Sequence, residues 1–197
     1  MRIVTLPGVF RPISDSRLLA ACLRAEVRPG ARVADLCTGS GLLAVAAARE
    51  GAAATAVDVS RRALLTARLN ARLNGVRVRA LRGDLLGPLD GERFDVIASN
   101  PPYVPATTGG RAWAGGPDGR AFIDRICDEA PGRLRRGGCL LLVHSSINGE
   151  AETLERLTAR GLHAEVVARR RGPLGPLMRE RVQLDEEELL VVRGRLP

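Results

Sequence analysis

From residue 15 onward, short apolar runs alternate with stretches of helical periodicity, and this leaves the chain few ways to fold. A helix starting near Asp15 or Ser16 carries RLLAACLRA. Then come a strand ARVADLC (31–37), a glycine turn, a helix LLAVAAARE (42–50), a strand AATAVDV (53–59), a helix RRALLTARLNARLN (61–74) and a strand VRVRALR (76–82). FDVIAS (94–99) reads as the next strand. Beyond a loop follow a helix near 119–130, a strand CLLLVHS (139–145), a helix near 149–160 and two last strands near 162–169 and 186–193. Strands joined through helices return in the same direction, so the pattern predicts a parallel sheet with helices on both faces. No repeat or linker divides the 197 residues, which read as a single domain over 1–197, with an N-terminal arm and helix (1–27) and a core (31–197).

In sheets of this kind ligands sit beyond the carboxyl ends of the strands. The first strand ends in Asp35-Leu36-Cys37-Thr38-Gly39-Ser40-Gly41, the second in Asp58 and the third in Gly83-Asp84-Leu85. Three successive strand ends thus carry an acid along one edge of the sheet. Gly39 and Gly41 permit a tight turn and close backbone approach to a ligand.

Two cofactors compete for that edge. Gly39-Ser40-Gly41-Leu42-Leu43-Ala44 satisfies the dinucleotide fingerprint, with Asp58 near the place of the ribose-binding acid. Asp35 at the mouth of the loop argues the other way, because it would repel a pyrophosphate. S-adenosylmethionine has no phosphate and carries an ammonium and a sulfonium. Asp35 then faces positive charge, Asp58 accepts from both ribose hydroxyls and Asp84 accepts from the adenine amino group, as charge-assisted hydrogen bonds. Each acid alone could equally be a helix cap or a solvated loop residue. All three together favour the methyl donor.

The fourth strand runs straight into Asn100-Pro101-Pro102-Tyr103, where two prolines remove two backbone donors and stop further pairing. By itself this is good turn chemistry.

Composition narrows the classes further. Every one of the 30 basic residues is Arg, which excludes a Schiff-base or P-loop lysine. The net charge of +8 suits an acidic or nucleic-acid partner, but the arginines are spread along the whole chain, as a GC-rich genome would write them. Cys22, Cys37, Cys127 and Cys139 form no C-x-x-C pair and accompany no His cluster, so neither metal site nor disulfide framework is expected. MRIVTLPGVF is broken by Pro7 and Gly8 and does not read as a signal peptide, and no apolar stretch is long enough to span a bilayer. The cytoplasm is the expected location, with no membrane partner.

The residues together resemble a known family. The chain looks like a class I S-adenosylmethionine-dependent methyltransferase, with NPPY (100–103) as the signature of those that methylate a planar nitrogen. GVFRPISDSRLL (8–19), DLCTGSG (35–41) and WAGGPDGRAFIDR (113–125) make it most similar to the HemK/PrmC-type protein-glutamine N5-methyltransferases, in a short form without an N-terminal helical domain. The resemblance runs from about residue 8 to 193. It implies an α/β, Rossmann-like seven-stranded sheet, mostly parallel, with the last strand antiparallel. It implies S-adenosyl-L-methionine as cofactor and the glutamine of a release-factor Gly-Gly-Gln loop as acceptor, with a small activating subunit as a further partner. Carried over by position, cofactor contacts fall on Ser16, Asp35, Cys37, Gly39, Gly41, Asp58, Asp84, Leu85 and Asn100. Catalysis falls on Asn100, Pro101, Pro102 and Tyr103. Cys37 replaces the commoner glycine, and Ser16 a more usual threonine.

Phe10 and Pro12 either close over the cofactor or simply pack the arm. The glycine-rich stretch 104–120, with Trp113 as anchor or plug, is a candidate lid or substrate platform. Arginines in 168–182 could meet a release factor or RNA, against a solvated face as the default. Two rival functions stay open: an adenine-N6 methyltransferase acting on DNA or RNA, for which 197 residues leave little room for base-flipping apparatus, and a non-catalytic binding module.

Overall fold

The computed structural model describes residues 1–106, 113–179 and 185–197. Helix α1 (Ser14–Glu26) leads into β1 (Arg32–Leu36), α2 (Leu42–Arg49), β2 (Ala53–Asp58), α3 (Arg61–Leu73) and β3 (Val78–Arg82). Then come β4 (Phe94–Ser99), α4 (Ala121–Glu129), β5 (Leu134–Ser145), α5 (Glu150–Ala159), β6 (His163–Pro173), a single turn α6 (Pro176–Arg179) and β7 (Glu186–Arg195).

These strands form one seven-stranded sheet in the order β3-β2-β1-β4-β5-β7-β6. The first five in chain order are parallel, and β7 enters antiparallel between β5 and β6. The strands alternate cleanly between two apolar layers. Ile97, Leu140 and Leu142 face one core, while Val96, Ala98, Leu141 and Val143 face the other. Burial on both faces is what converts these runs into continuous apolar stretches rather than polar–apolar alternation. The strand order reverses between β1 and β4, which opens a crevice at the carboxyl edge there.

β5 begins five residues earlier than the sequence suggested. Leu134 already pairs with Phe94, and a register shift follows before the regular ladder resumes at Cys139 opposite Val96. Among the described residues no helix is long and apolar enough to cross a membrane.

Candidate active site

A cavity of about 850 Å³ runs along the carboxyl edge of the sheet. Asp84 and Leu85 follow β3, Asp58 ends β2, Asp35 lies in β1, Asn100 follows β4 and Glu187 lies at the start of β7, and all of them line it. Adjacent strands are about 4.8 Å apart. The edge from β3 to β7 therefore spreads these side chains over roughly 24 Å, enough for a nucleoside at one end and a second reactant at the other.

The glycine turn is built for two tasks. Asp58 accepts from the Gly39 N–H at 2.9 Å and from the Ser60 N–H at 2.8 Å, so one carboxylate ties the β1–α2 loop to the start of α3. Both oxygens keep lone pairs for further donors. Gly41 serves packing: at φ +80°, a Cβ there would lie 2.6 Å from the Ala67 Cβ on α3. The close approach of α2 and α3 is the reason this position has no side chain.

Asp35 is 1% exposed. One oxygen accepts from the Thr38 hydroxyl at 2.5 Å and the Ala44 N–H at 3.0 Å, while Oδ1 has no partner. Burial pushes its carboxyl up to about 7, against the pull of those two hydrogen bonds. A buried carboxylate oxygen without a donor, on the wall of a cavity, is a place where a cationic ligand group is stabilising.

Two non-glycine residues adopt positive φ among the described residues, Cys37 (55°) and Leu85 (45°). Both line this cavity, at the ends of β1 and β3. Such strain persists only where surrounding structure enforces it, and it gathers at ligand sites. The left-handed backbone at 37 is one that glycine adopts without strain, in keeping with the glycine that the resemblance implies at that place. Enclosure and the nearby Asp58 push the Cys37 thiol well above its ordinary value, so it stays an uncharged wall group. At the β3 end, Asp84 is about half exposed and pairs with Arg125 of α4 at 2.9 Å.

The NPPY turn is held by a relay of hydrogen bonds. The Asn100 Nδ2 donates to Ser16 Oγ at 3.0 Å, Ser16 Oγ lies 3.0 Å from Asp15 Oδ1 and donates to it, and the Tyr103 hydroxyl donates to Asp15 Oδ2 at 2.9 Å. With its nitrogen engaged by Ser16, Asn100 keeps its side-chain oxygen as an acceptor, and the residue lines the cavity. Burial and the adjoining Asp15 keep Tyr103 protonated by raising its phenol well above the usual value. Pro101 and Pro102 also line the cavity. Phe10 and Pro12 of the arm line the cavity, with Phe10 beside Gly39 of the glycine turn.

Sequence reasoning took Asp15 only as a helix start and passed over Glu187. Asp15 is linked to Tyr103 across 88 residues, which no local pattern reports. Trp113 lines the cavity and packs with Val104, Leu174 and Met178, so the glycine-rich stretch and the β6–β7 connection share one apolar cluster. Gly109 and Gly110 of that stretch, and residues 180–182 of the arginine-rich one, lie outside the described residues. Arg169 and Arg171 are engaged at home: Arg169 pairs with Glu150 and Glu188, and Arg171 with Glu188. The solvated-face default accounts for both.

Strand order, acidic carboxyl edge and NPPY turn define a class I methyltransferase architecture. A family model, the methyltransferase small domain, matches residues 1–172. A protein of Methanocaldococcus jannaschii named provisionally as a protein N5-glutamine methyltransferase is 36% identical over 87% of this chain and 90% of its own length. The chain therefore belongs to the methyltransferase small domain family, in the branch of the protein N5-glutamine methyltransferases. The release factor glutamine methyltransferase of Gloeobacter violaceus is 37% identical over 76% of this chain, which spans 57% of that enzyme's length. Among solved structures, the E. cuniculi Mtq2–Trm112 complex, responsible for methylation of the eRF1 termination factor, matches with a TM-score of 0.74. The identity is 27%, over 96% of this chain and 99% of that one.

Proposed function

We propose that this protein is an S-adenosylmethionine-dependent methyltransferase acting on the side-chain amide of a glutamine, with a peptide-chain release factor as substrate and the cytoplasm as its place of work. The observation that carries the reading is the Asn100–Ser16 hydrogen bond, which commits the Asn100 amide nitrogen and frees its oxygen. The chain's similarity to N5-glutamine methyltransferases supports the choice of acceptor.

The cavity fits the cofactor on its own terms. Asp35, with its unpartnered oxygen, is assigned to the ammonium end, Asp58 to the ribose hydroxyls and Asp84 to the adenine amino group. Ser16, Cys37, Gly39, Gly41, Leu85 and Asn100 complete the contact set. Bound there, S-adenosylmethionine supplies a methyl group on a positively charged sulfonium.

An amide nitrogen is a poor nucleophile because its lone pair is delocalised into the carbonyl. Asn100 Oδ1 and the Pro101 carbonyl each accept one N–H of the substrate NH2, which fixes the nitrogen and favours the charge distribution of the transfer. Two prolines keep those acceptors in place at little entropic cost. The Tyr103 ring gives the flat amide a surface to stack on. Rate acceleration comes from positioning and preorganised dipoles rather than from a general base acting before the attack.

A small activating subunit remains part of the proposal. Leu65, Leu69 and Leu73, four residues apart on α3, are 57%, 37% and 46% exposed, an apolar stripe of the kind a partner covers. Incubation with labelled methyl donor and separate pools of release factor, DNA and RNA tests the reading. Label on the release factor is expected; label on nucleic acid alone would replace it with the adenine-N6 alternative.

A further inference from the structure

Glu187 stands at the acceptor end of the cavity, beyond the last β5–β7 pair and opposite Gly172 of β6. One carboxylate oxygen accepts from the Gly175 N–H at 3.3 Å, and the other, Oε2, is buried and makes no well-formed hydrogen bond, although the Ser145 hydroxyl is close enough to the carboxylate to pull its pKa down. An unpaired buried carboxylate oxygen is costly, and a native structure keeps one where a ligand or water completes it. Its surroundings sharpen the point. Asp15 of the NPPY relay raises the Glu187 carboxyl, and Glu187 in turn raises the Tyr103 phenol, so the Glu187 carboxylate belongs to the same end of the cavity as Asn100.

The charge along the cavity is uneven. Among the described lining residues the basic ones are Arg61 and Arg82, which stand beside Asp58 and Asp84 at the β2–β3 end. Among the described residues that line it, the acceptor end offers the acids Asp15 and Glu187 and no cation. A phosphodiester is repelled there, and a neutral chain bearing N–H donors is not.

We propose that Glu187 is the residue that reads the acceptor as a polypeptide, its open oxygen accepting a backbone N–H of the chain that carries the methylated side chain. The role is distinct from that of Asn100, which holds the reacting nitrogen: Glu187 sets which macromolecule is seated and in what direction it runs. Burial, with Asp15 adding to it, pushes the Glu187 carboxyl above its ordinary range, and an N–H from the acceptor compensates for that. The proposal rests on the glutamine-methyltransferase reading given above.

The test uses the full chain, with a Gly-Gly-Gln-containing release-factor peptide and an adenine-containing single-stranded oligonucleotide as acceptors. Glu187→Gln is isosteric and can still accept from Gly175, but it turns the open oxygen into a donor; Glu187→Ala removes the group. Both variants should keep cofactor affinity within about twofold and raise the peptide KM about tenfold or more, with a smaller change in kcat. Peptide binding to protein loaded with S-adenosylhomocysteine, followed by calorimetry, should weaken in parallel. Unchanged peptide KM and unchanged peptide binding in both variants overturn the role of Glu187 and leave the glutamine reading standing. Wild-type labelling of the oligonucleotide and not of the peptide overturns both.

Discussion

The side-chain nitrogen of Asn100 donates to the Ser16 hydroxyl at 3.0 Å, joining the end of β4 to the first turn of α1 across 84 residues. Behind Ser16 stands Asp15, which also takes the Tyr103 hydroxyl. The helix that opens the fold therefore orients the amide that the sheet displays.

Ser16→Ala removes the acceptor that holds the Asn100 amide in one orientation. Losing one such bond is worth about 1 kcal/mol, so single-turnover methyl transfer should slow by roughly five- to tenfold. Ser16→Thr keeps the hydroxyl and should restore the rate. A threonine variant as slow as the alanine one would show that the hydroxyl is not what matters.

Asp58 already serves two backbone N–H groups and is assigned to the ribose. Asp58→Ala should weaken S-adenosylmethionine by about 1.5–3 kcal/mol, roughly ten- to a hundredfold in Kd by calorimetry. Unchanged affinity would remove Asp58 from the cofactor site.

Asp35 makes the cofactor-free protein sensitive to pH. Burial raises its pKa from an ordinary 3.8 to about 7, so the folded state holds a proton that the unfolded chain has already lost. The sign follows: between about pH 4 and 7 stability falls as pH rises, by up to about 4 kcal/mol from this group, and levels off above. Asp35→Asn should flatten that slope in urea titrations compared across pH. Cofactor binding near pH 6 should release up to about one proton from wild type and none through this group in the variant, read by calorimetry in two buffers of different ionisation heat. Equal proton release in both proteins would contradict the assignment of Asp35 to a cationic group.

Gly41→Ala combines a positive φ with a Cβ that would lie 2.6 Å from Ala67. The strain and overpacking should cost about 2–4 kcal/mol, measured by the urea midpoint at constant slope. A loss below about 1 kcal/mol would mean that α2 and α3 separate easily.

Much of this fold was legible because its strands announce themselves. FDVIAS is β4 residue for residue, and the strands and helices up to β4 start and stop within two residues of the apolar runs. β5 is longer than its apolar run: Arg135, Arg136, Gly137 and Gly138 look like a loop in sequence, and the structure ties Gly137 (φ +74°) and Gly138 to the C-terminal segment, where Gly137 donates to Leu196 and Leu196 to Gly138. The three acids and NPPY could be seen because each closes a strand, and parallel strands bring their ends together. Asp15 and Glu187 could not. Their partners are distant in sequence, and Glu187 sits in an acidic run, Asp185 to Glu188, whose local chemistry says only that it is solvated.

The central claim is that Asn100 positions the reacting nitrogen and does not merely turn the chain. Single-turnover methyl transfer by Asn100→Ala to a release-factor peptide, with S-adenosylmethionine affinity measured on the same preparation, tests it most directly. The expected result is near-wild-type cofactor affinity with transfer slowed about a hundredfold or more, the scale of removing one preorganised polar group from a transition-state site. Transfer at close to the wild-type rate would contradict it.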